Sequence, residues 1–277
     1  MQNISIDIQP VSGALGAEIH GIDLANDVDD RVYADIRVAL NEYGVIFFRD
    51  QKLDSAQLVS FCERFGELQV ERSPVIKRVP GHPMVELMVK EAHEITNIGE
   101  GWHTDQASRE KPCMGTVLYA REVPPYGGDT LFANMAAAYD GLSDGLKQAL
   151  EGLNAVHSLL FLLMTQKALH GDPDGRFEDA HKADSVATHP VVMRHPETGR
   201  KILYVNPGYT THFEGWTREE SLPLLNYLYE HGAKPEFTCR FRWRPDSLAM
   251  WDNRQTWHYA ANDYHGHRRL MHRVVIR

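Results

Sequence analysis

Hydrophobic positions recur every three to four residues from Asn26 to Tyr43. Val32, Ile36, Ala39, Leu40 and Tyr43 fall on one face, and this spacing predicts an amphipathic helix that Gly44 ends. The next run, Val45-Ile46-Phe47-Phe48, is uninterrupted and rich in β-branched and aromatic side chains, so it predicts a buried strand. A second helix is expected over Asp54 to Phe65, ended by Gly66. Ahead of these, SIDIQP and GAEIHGI alternate polar and apolar positions and read as two strands joined by a turn. MVELMV, within 70–102, has strand character. From residue 103 onward strands dominate: Met114 to Ala120, Thr130 to Phe132, Pro190 to Arg194, Ile202 to Val205, Phe237 to Trp243 and Ser247 to Trp251. Pro124-Pro125-Tyr126-Gly127-Gly128-Asp129 has the chemistry of a turn. Asn134 to Tyr139, Ser143 to Leu153 and Ser221 to His231 read as helices between the strands. Residues 157–188 begin with a short apolar helix, LLFLLMTQKAL, and continue as polar, irregular sequence. They are expected to form a lid or mobile loop, an inert surface excursion being the other reading. No repeat or low-complexity linker divides the chain, so 1–277 is expected to be one domain, mainly β with peripheral helices.

Composition narrows the class of function. With 277 residues, 43% hydrophobic and 24% charged, the chain is long enough for a large core. Its formal net charge of -9, with no basic run, argues against a nucleic-acid binder. Cys62, Cys113 and Cys239 are odd in number and widely spaced, which fits free thiols in a reducing compartment. No stretch approaches the length of a membrane span. MQNISIDIQP lacks the basic and apolar regions of a signal peptide, so a cytoplasmic location is expected.

His103 and Asp105 stand two residues apart, a spacing that puts both side chains on one face of an extended strand. Joined by a second imidazole such as His258, they would make the two-histidine, one-carboxylate set that holds Fe(II) on one face and leaves positions open for other ligands. Alone, the pair is also what a surface histidine beside a hydrogen-bonding aspartate looks like. Composition does not separate His258 from His189, His195, His212 or His272.

The motifs around these residues resemble a known family. WHTD at 102–105, PPYGGDT at 124–130, WDNRQTWH at 251–258 and RRLMHR at 268–273 are similar, in the same order, to the taurine dioxygenase and 2,4-dichlorophenoxyacetate dioxygenase (TauD/TfdA) family of Fe(II)/2-oxoglutarate oxygenases. Weaker similarity runs through GALGAEIHGIDL, VIFFRDQ, RFGEL and HPETGRKILYVN. The resemblance implies a double-stranded β-helix, or distorted jelly roll. It implies Fe(II) held by His103, Asp105 and His258, with 2-oxoglutarate and O2 as cosubstrates and succinate and CO2 as products. Thr130 matches the residue that gives a hydroxyl to the far carboxylate of 2-oxoglutarate, and Arg269 the arginine that clamps it as a planar fork. Asp252 and Asn253 are expected to make turn hydrogen bonds or bonds that support the ligands rather than to bind iron, and Gly127 and Gly128 to let the backbone turn tightly.

The resemblance also implies a small-molecule substrate, an organic anion, and a homo-oligomer, dimer or tetramer, with no membrane or nucleic-acid partner. Arg273 matches an arginine that binds the substrate's anionic group. Glu71 falls where taurine-cleaving members carry a sulfonate-binding histidine, and a carboxylate there would repel a sulfonate. VHSLL at 156–160 and KPEFTCRFRW at 234–243 are more similar to the branch acting on aryloxyalkanoates. Hydroxylation of a small organic acid, followed in such members by C–O or C–S cleavage, is therefore expected. A taurine, alkylsulfonate or alkyl sulfate substrate, or hydroxylation or desaturation of an amino-acid-like molecule, is the alternative. Leu160, Phe161, Leu162 and Met164 either wall an apolar pocket or belong to the ordinary core.

Overall fold

The structure is a computed structural model that describes residues 6–26, 28–70, 76–171 and 185–277. In chain order the strands are β1 (Asp7–Pro10), β2 (Ala17–His20), β3 (Val45–Phe48), β4 (Leu68–Gln69), β5 (Lys77–Val79), β6 (His82–Lys90), β7 (Gly115–Glu122), β8 (Thr130–Asn134), β9 (Asn154–Ser158), β10 (Val186–Pro190), β11 (Val192–Arg194), β12 (Lys201–Leu203), β13 (Thr210–Phe213), β14 (Thr238–Phe241), β15 (Leu248–Asp252), β16 (Thr256–Ala260) and β17 (Arg269–Ile276). The helices are α1 (Asp30–Tyr43), α2 (Ser55–Glu63), α3 (Met135–Asp140), α4 (Asp144–Leu150), α5 (Leu159–His170) and α6 (Arg218–Gly232).

Local chemistry sets the helix ends. Asp29 caps α1 by accepting from Arg31 N. The helix therefore starts at Asp30 rather than at the expected Asn26, which is held in a turn by the Asp23 carboxylate. Asp54 and Gln57 form a reciprocal capping box on α2, and Thr217 and Glu220 do the same for α6. The second box starts α6 three residues before the expected Ser221. Pro190 to Arg194 is two strands rather than one, β10 ending at the proline, which has no N–H to continue a ladder. Phe237 closes a 3-10 turn, so the strand after it spans only Thr238–Phe241. Within 157–188, His157 and Ser158 belong to β9, Leu159–His170 to α5, and 186–188 to β10. Residues 172–184, where the expected lid is most polar, lie outside the described residues.

Two sheets make the jelly-roll core. The larger runs β1-β2-β3-β15-β7-β17-β6-β5, with β4 paired to the end of β17. The smaller runs β14-β8-β16. Phe47, Leu118, Trp251 and Met271 from the larger sheet meet Phe132 and Phe241 from the smaller in one buried cluster. Phe47 and Phe241 stack at 4.0 Å across the gap. On the other face of the larger sheet, Ile46, Phe48, Val117, Met250 and Val274 pack with Ile36 and Leu40 of α1 and Leu58 and Phe61 of α2. Both faces of β3 are thus covered, which is why Val45 to Phe48 is apolar throughout.

β17 carries the polarity of the inner face. Val274 and Ile276 belong to the outer cluster and Met271 to the inner one, so Arg269, Met271 and Arg273 all face inward. Across β6 their partners are Lys90, Met88 and Glu86. The two arginines stand about 13 Å apart along the strand.

Candidate active site

A single backbone bridge joins the two histidines. His103 N donates to His258 O at 3.1 Å and His258 N to His103 O at 2.8 Å. The segment is not the extended strand expected for His103 and Asp105. The chain turns directly after the bridge, with Gln106 at φ +58° and Arg109 N bonded to Gln106 O at 3.0 Å. The two side chains converge all the same, while the Thr104 hydroxyl turns away to Thr256 O at 2.7 Å. His103 Nε2 and His258 Nε2 each lie 3.8 Å from Asp105 Oδ1. Ligand atoms of the three residues all lie within 4.8 Å of one another, and the three side chains are buried.

Neighbours fix the chemical state of each ligand. His103 Nδ1 lies 2.9 Å from Gly101 O. A carbonyl only accepts, so Nδ1 carries the proton and Nε2 presents its lone pair. Burial lowers the pKa of His103 and drives that of His258 well down, which keeps both imidazoles neutral and able to ligate. Burial pushes the Asp105 carboxyl up, but the charge of Arg273, the neighbouring His258 and His103 rings and the Thr116 hydroxyl outweigh it and hold the group at about 2. Thr116 bonds Asp105 Oδ2 at 2.8 Å, and Asn253 Nδ2 bonds Thr116 at 2.8 Å. Asn253 is itself held by Trp251 Nε1 at 2.9 Å. Asp252 does not face the metal ligands; it accepts from His195 Nε2 at 2.8 Å and from Arg254. Asn253 therefore reaches Asp105 through Thr116, whereas the Asp252 carboxylate is taken up by His195 and Arg254.

A second polar pocket sits at the other end of the inner face. Arg269 is 5% exposed, yet its Nε and Nη2 have no partner. Leaving a guanidinium buried and unsatisfied is costly, so this one suits a carboxylate that arrives from solution. Burial lowers its pKa, against the pull of Tyr264 and Asp129. The buried Thr130 hydroxyl accepts from Trp243 Nε1 at 2.9 Å, and the Arg269 guanidinium lies 5.9 Å from the Trp243 ring centroid. Gly128, at φ +67°, lets both Arg269 and Tyr264 close in: a Cβ there would lie 3.3 Å from Arg269 Cδ and 3.2 Å from Tyr264 Cδ1. Gly127 has no more room, since a Cβ would lie 2.7 Å from Asp263 O.

Several residues of the site carry no sequence signal. The Tyr264 hydroxyl is fully buried beside Arg269 without a partner. Lys90 Nζ lies 4.3 Å from the Tyr264 ring centroid and bonds Asn262 Oδ1 at 2.6 Å. Gly208 packs on His103, and a Cβ there would lie 2.8 Å from His103 Cβ. Arg273, expected to face substrate, is bound by Glu86 at 2.8 Å through Nε and lies 3.4 Å from Asp105 Oδ1 through Nη1. Leu162 lies near Gly208 and His103, whereas Leu160 and Met164 are exposed on α5. Glu71 lies outside the described residues. Among the described residues, no helix is long and apolar enough to cross a membrane.

Residues 7–275 match the sequence profile of the family described as taurine catabolism dioxygenase TauD, TfdA family. The chain is 32% identical over 281 residues to the alkylsulfatase of Acinetobacter baylyi, covering 98% of this chain and 84% of that protein. It is 35% identical over 260 residues to the (S)-phenoxypropionate/alpha-ketoglutarate-dioxygenase of Sphingobium herbicidovorans, covering 93% and 90%. The crystal structure of a taurine dioxygenase from Burkholderia xenovorans superposes with a TM-score of 0.82 at 37% identity, covering 98% of this chain and 89% of that one.

Proposed function

We infer the function from one premise: the chain belongs to the TauD/TfdA family and is an Fe(II)/2-oxoglutarate-dependent dioxygenase. The convergence of His103, Asp105 and His258 within 4.8 Å carries this reading. Two neutral imidazoles and one carboxylate form the donor set that suits Fe(II) with open positions. When bound, Fe(II) would let O2 act as the oxidant, one oxygen atom going into succinate as 2-oxoglutarate loses CO2 and the other into the prime substrate.

The protein's own residues bind and orient. Arg269 is proposed to take the far carboxylate of 2-oxoglutarate, with the hydroxyls of Thr130 and Tyr264 as further donors. Thr116 and Asn253 hold Asp105 Oδ2, leaving Oδ1 turned to the two histidines. Arg273 keeps Asp105 ionised and is tied in place by Glu86. No side-chain general base is required. The prime substrate is proposed to be a small organic acid hydroxylated beside a heteroatom, with C–O or C–S cleavage after it. Similarity to an alkylsulfatase and to an (S)-phenoxypropionate/alpha-ketoglutarate-dioxygenase supports that class.

Anaerobic addition of Fe(II) and then 2-oxoglutarate is expected to produce a weak visible charge-transfer band. His103→Ala, Asp105→Ala and His258→Ala should each abolish it while the protein stays folded. A folded wild-type protein that forms no band would refute the cosubstrate assignment.

A further inference from the structure

Lys90 and Arg269 stand directly opposite each other on β6 and β17. Residues paired in this way project to the same side of a sheet, so Lys90 faces inward with Arg269. Both are buried, Lys90 at 2% exposure and Arg269 at 5%. Like charges placed opposite each other on neighbouring strands repel, so the pairing lowers stability and calls for a reason. Lys90 is not a receptor for a further anion. Burial lowers its pKa, and the carboxylates of Glu100 and Glu94 pull it back up, so its charge is answered from within the protein.

Lys90 is aimed instead at Tyr264. Its Nζ donates to Asn262 Oδ1 at 2.6 Å and lies 4.3 Å from the Tyr264 ring centroid. Asn262 presents that oxygen because its Nδ2 donates to Ile95 O and to Glu100 Oε2, each at 2.9 Å. An amide of fixed orientation thus holds the ammonium against the ring. An aromatic face attracts a cation, and a positive charge beside a phenol favours its ionised form, which makes the O–H a stronger hydrogen-bond donor.

The Tyr264 hydroxyl is buried and has no partner within the protein. Burial raises its pKa, so it stays protonated and calls for an acceptor. Tyr264 and Arg269 meet at Gly128, where an added Cβ would lie 3.2 Å from Tyr264 Cδ1 and 3.3 Å from Arg269 Cδ. The hydroxyl therefore joins Arg269 Nε and Nη2, which are also unpartnered, and the Thr130 hydroxyl, whose oxygen accepts from Trp243 Nε1 and whose proton is left to donate. An ionised carboxylate accepts about four hydrogen bonds, and this set of donors matches one.

We propose that Lys90 is a positioning residue for the cosubstrate: held on the Tyr264 ring by Asn262, it orients and polarises the hydroxyl that Tyr264 gives to the far carboxylate of 2-oxoglutarate. This rests on the dioxygenase reading above, and the test separates the two.

Isothermal titration of 2-oxoglutarate into the Mn(II)-loaded protein gives its dissociation constant in the wild type, in Tyr264→Phe, in Lys90→Met and in the double variant. Tyr264→Phe should raise the constant about tenfold, the loss of one hydrogen bond to a charged group. Lys90→Met should raise it about fivefold in the wild-type background. In the Tyr264→Phe background the same change should move it by less than about twofold, because Lys90 acts through a hydroxyl that is already gone. A lysine that only supported the fold, or attracted the anion directly, would weaken binding equally with and without that hydroxyl. Affinity for Mn(II) should stay within about twofold in all four proteins. Equal effects of Lys90→Met in the two backgrounds, or wild-type binding in either single variant, overturn the role of Lys90. Should Lys90→Met not fold, Lys90→Gln, which removes the charge and keeps a donor for Asn262, decides by the same criterion. A folded wild type that binds Mn(II) but no 2-oxoglutarate sinks the dioxygenase reading and the role of Lys90 with it. A wild type that binds 2-oxoglutarate no better than the variants sinks the role of Lys90 alone.

Discussion

The Thr116 hydroxyl donates to Asp105 Oδ2 at 2.8 Å, and so aims the one carboxylate of the metal site. The hydroxyl is spoken for on both sides, because its oxygen also accepts from Asn253 Nδ2 at 2.8 Å. Thr116 lies on β7 and Asn253 just after β15, neighbouring strands of the larger sheet. The rigidity of that sheet is thereby passed to a ligand that itself sits on a turn.

Thr116→Val keeps the shape and removes this bond. Metal affinity is expected to fall about 10- to 100-fold, the usual cost of losing a partner behind a ligand. Isothermal titration with Mn(II) as the probe would measure it. Unchanged affinity in a folded variant would show that Arg273 alone suffices to orient Asp105.

Arg269 makes a two-sided prediction. Its unpartnered buried guanidinium destabilises the ligand-free protein and awaits a carboxylate. Arg269→Met should raise the melting temperature of the ligand-free protein by about 3 °C. It should also raise the dissociation constant for 2-oxoglutarate about 100-fold and leave that for the metal unchanged. Differential scanning fluorimetry with and without 2-oxoglutarate reads both. A variant still stabilised by 2-oxoglutarate as strongly as wild type would refute the clamp.

Much of this was legible in the sequence, for identifiable reasons. The strands Val45 to Phe48 and Ser247 to Trp251 announce themselves because burial on both faces demands continuous apolar residues. The ordered motifs around them mark His103, Asp105 and His258 in the sequence, whereas periodicity does not separate His258 from His189 or His195. The structure shows why those two differ: His195 is bonded to Asp252, and His189 to Arg109 O at 2.9 Å. Periodicity alone puts a helix start too early where a cap outweighs it, as at Asp29. The sequence does not mark Thr116, Tyr264 or Lys90 as site residues, because each acquires its role from a register or an approach between strands distant in sequence. Arg273 shows the same limit: its motif located it, and only the pairing with Glu86 shows that its charge is already engaged.

Gly208 is a purely steric case. Its backbone conformation is open to any residue, but an added Cβ would stand 2.8 Å from His103 Cβ and 3.3 Å from Leu162 Cδ1. Gly208→Ala must move His103 or α5. A loss of about 1–3 kcal/mol in stability is expected, as for other overpacked sites. Metal affinity should fall with it, since His103 is the group displaced. Urea denaturation and Mn(II) titration of the same variant measure the two. Wild-type values for both would mean that the loop bearing Gly208 yields freely, and that it does not hold His103.

A histidine away from the metal ligands makes stability depend on pH. His157 is fully buried, with Nδ1 3.2 Å from Thr210 Oγ1 and no partner at Nε2. Its ring faces His189 at 5.4 Å and Tyr204 at 5.7 Å. Burial, and then the charge of His189, hold its pKa at about 3. The unfolded chain regains the ordinary value near 6.5 and so binds the proton more readily than the folded one. The stabilisation is therefore fully present above about pH 6.5 and is lost progressively as pH falls toward 3. At pH 5 this one group should cost about 2 kcal/mol relative to neutral pH. The depressed His189 adds a loss of the same sign. Urea midpoints measured at pH 7.5 and pH 5 should differ markedly in the wild type and much less in His157→Asn, whose amide can still meet Thr210. Equal pH dependence in the two proteins would place the titrating groups elsewhere.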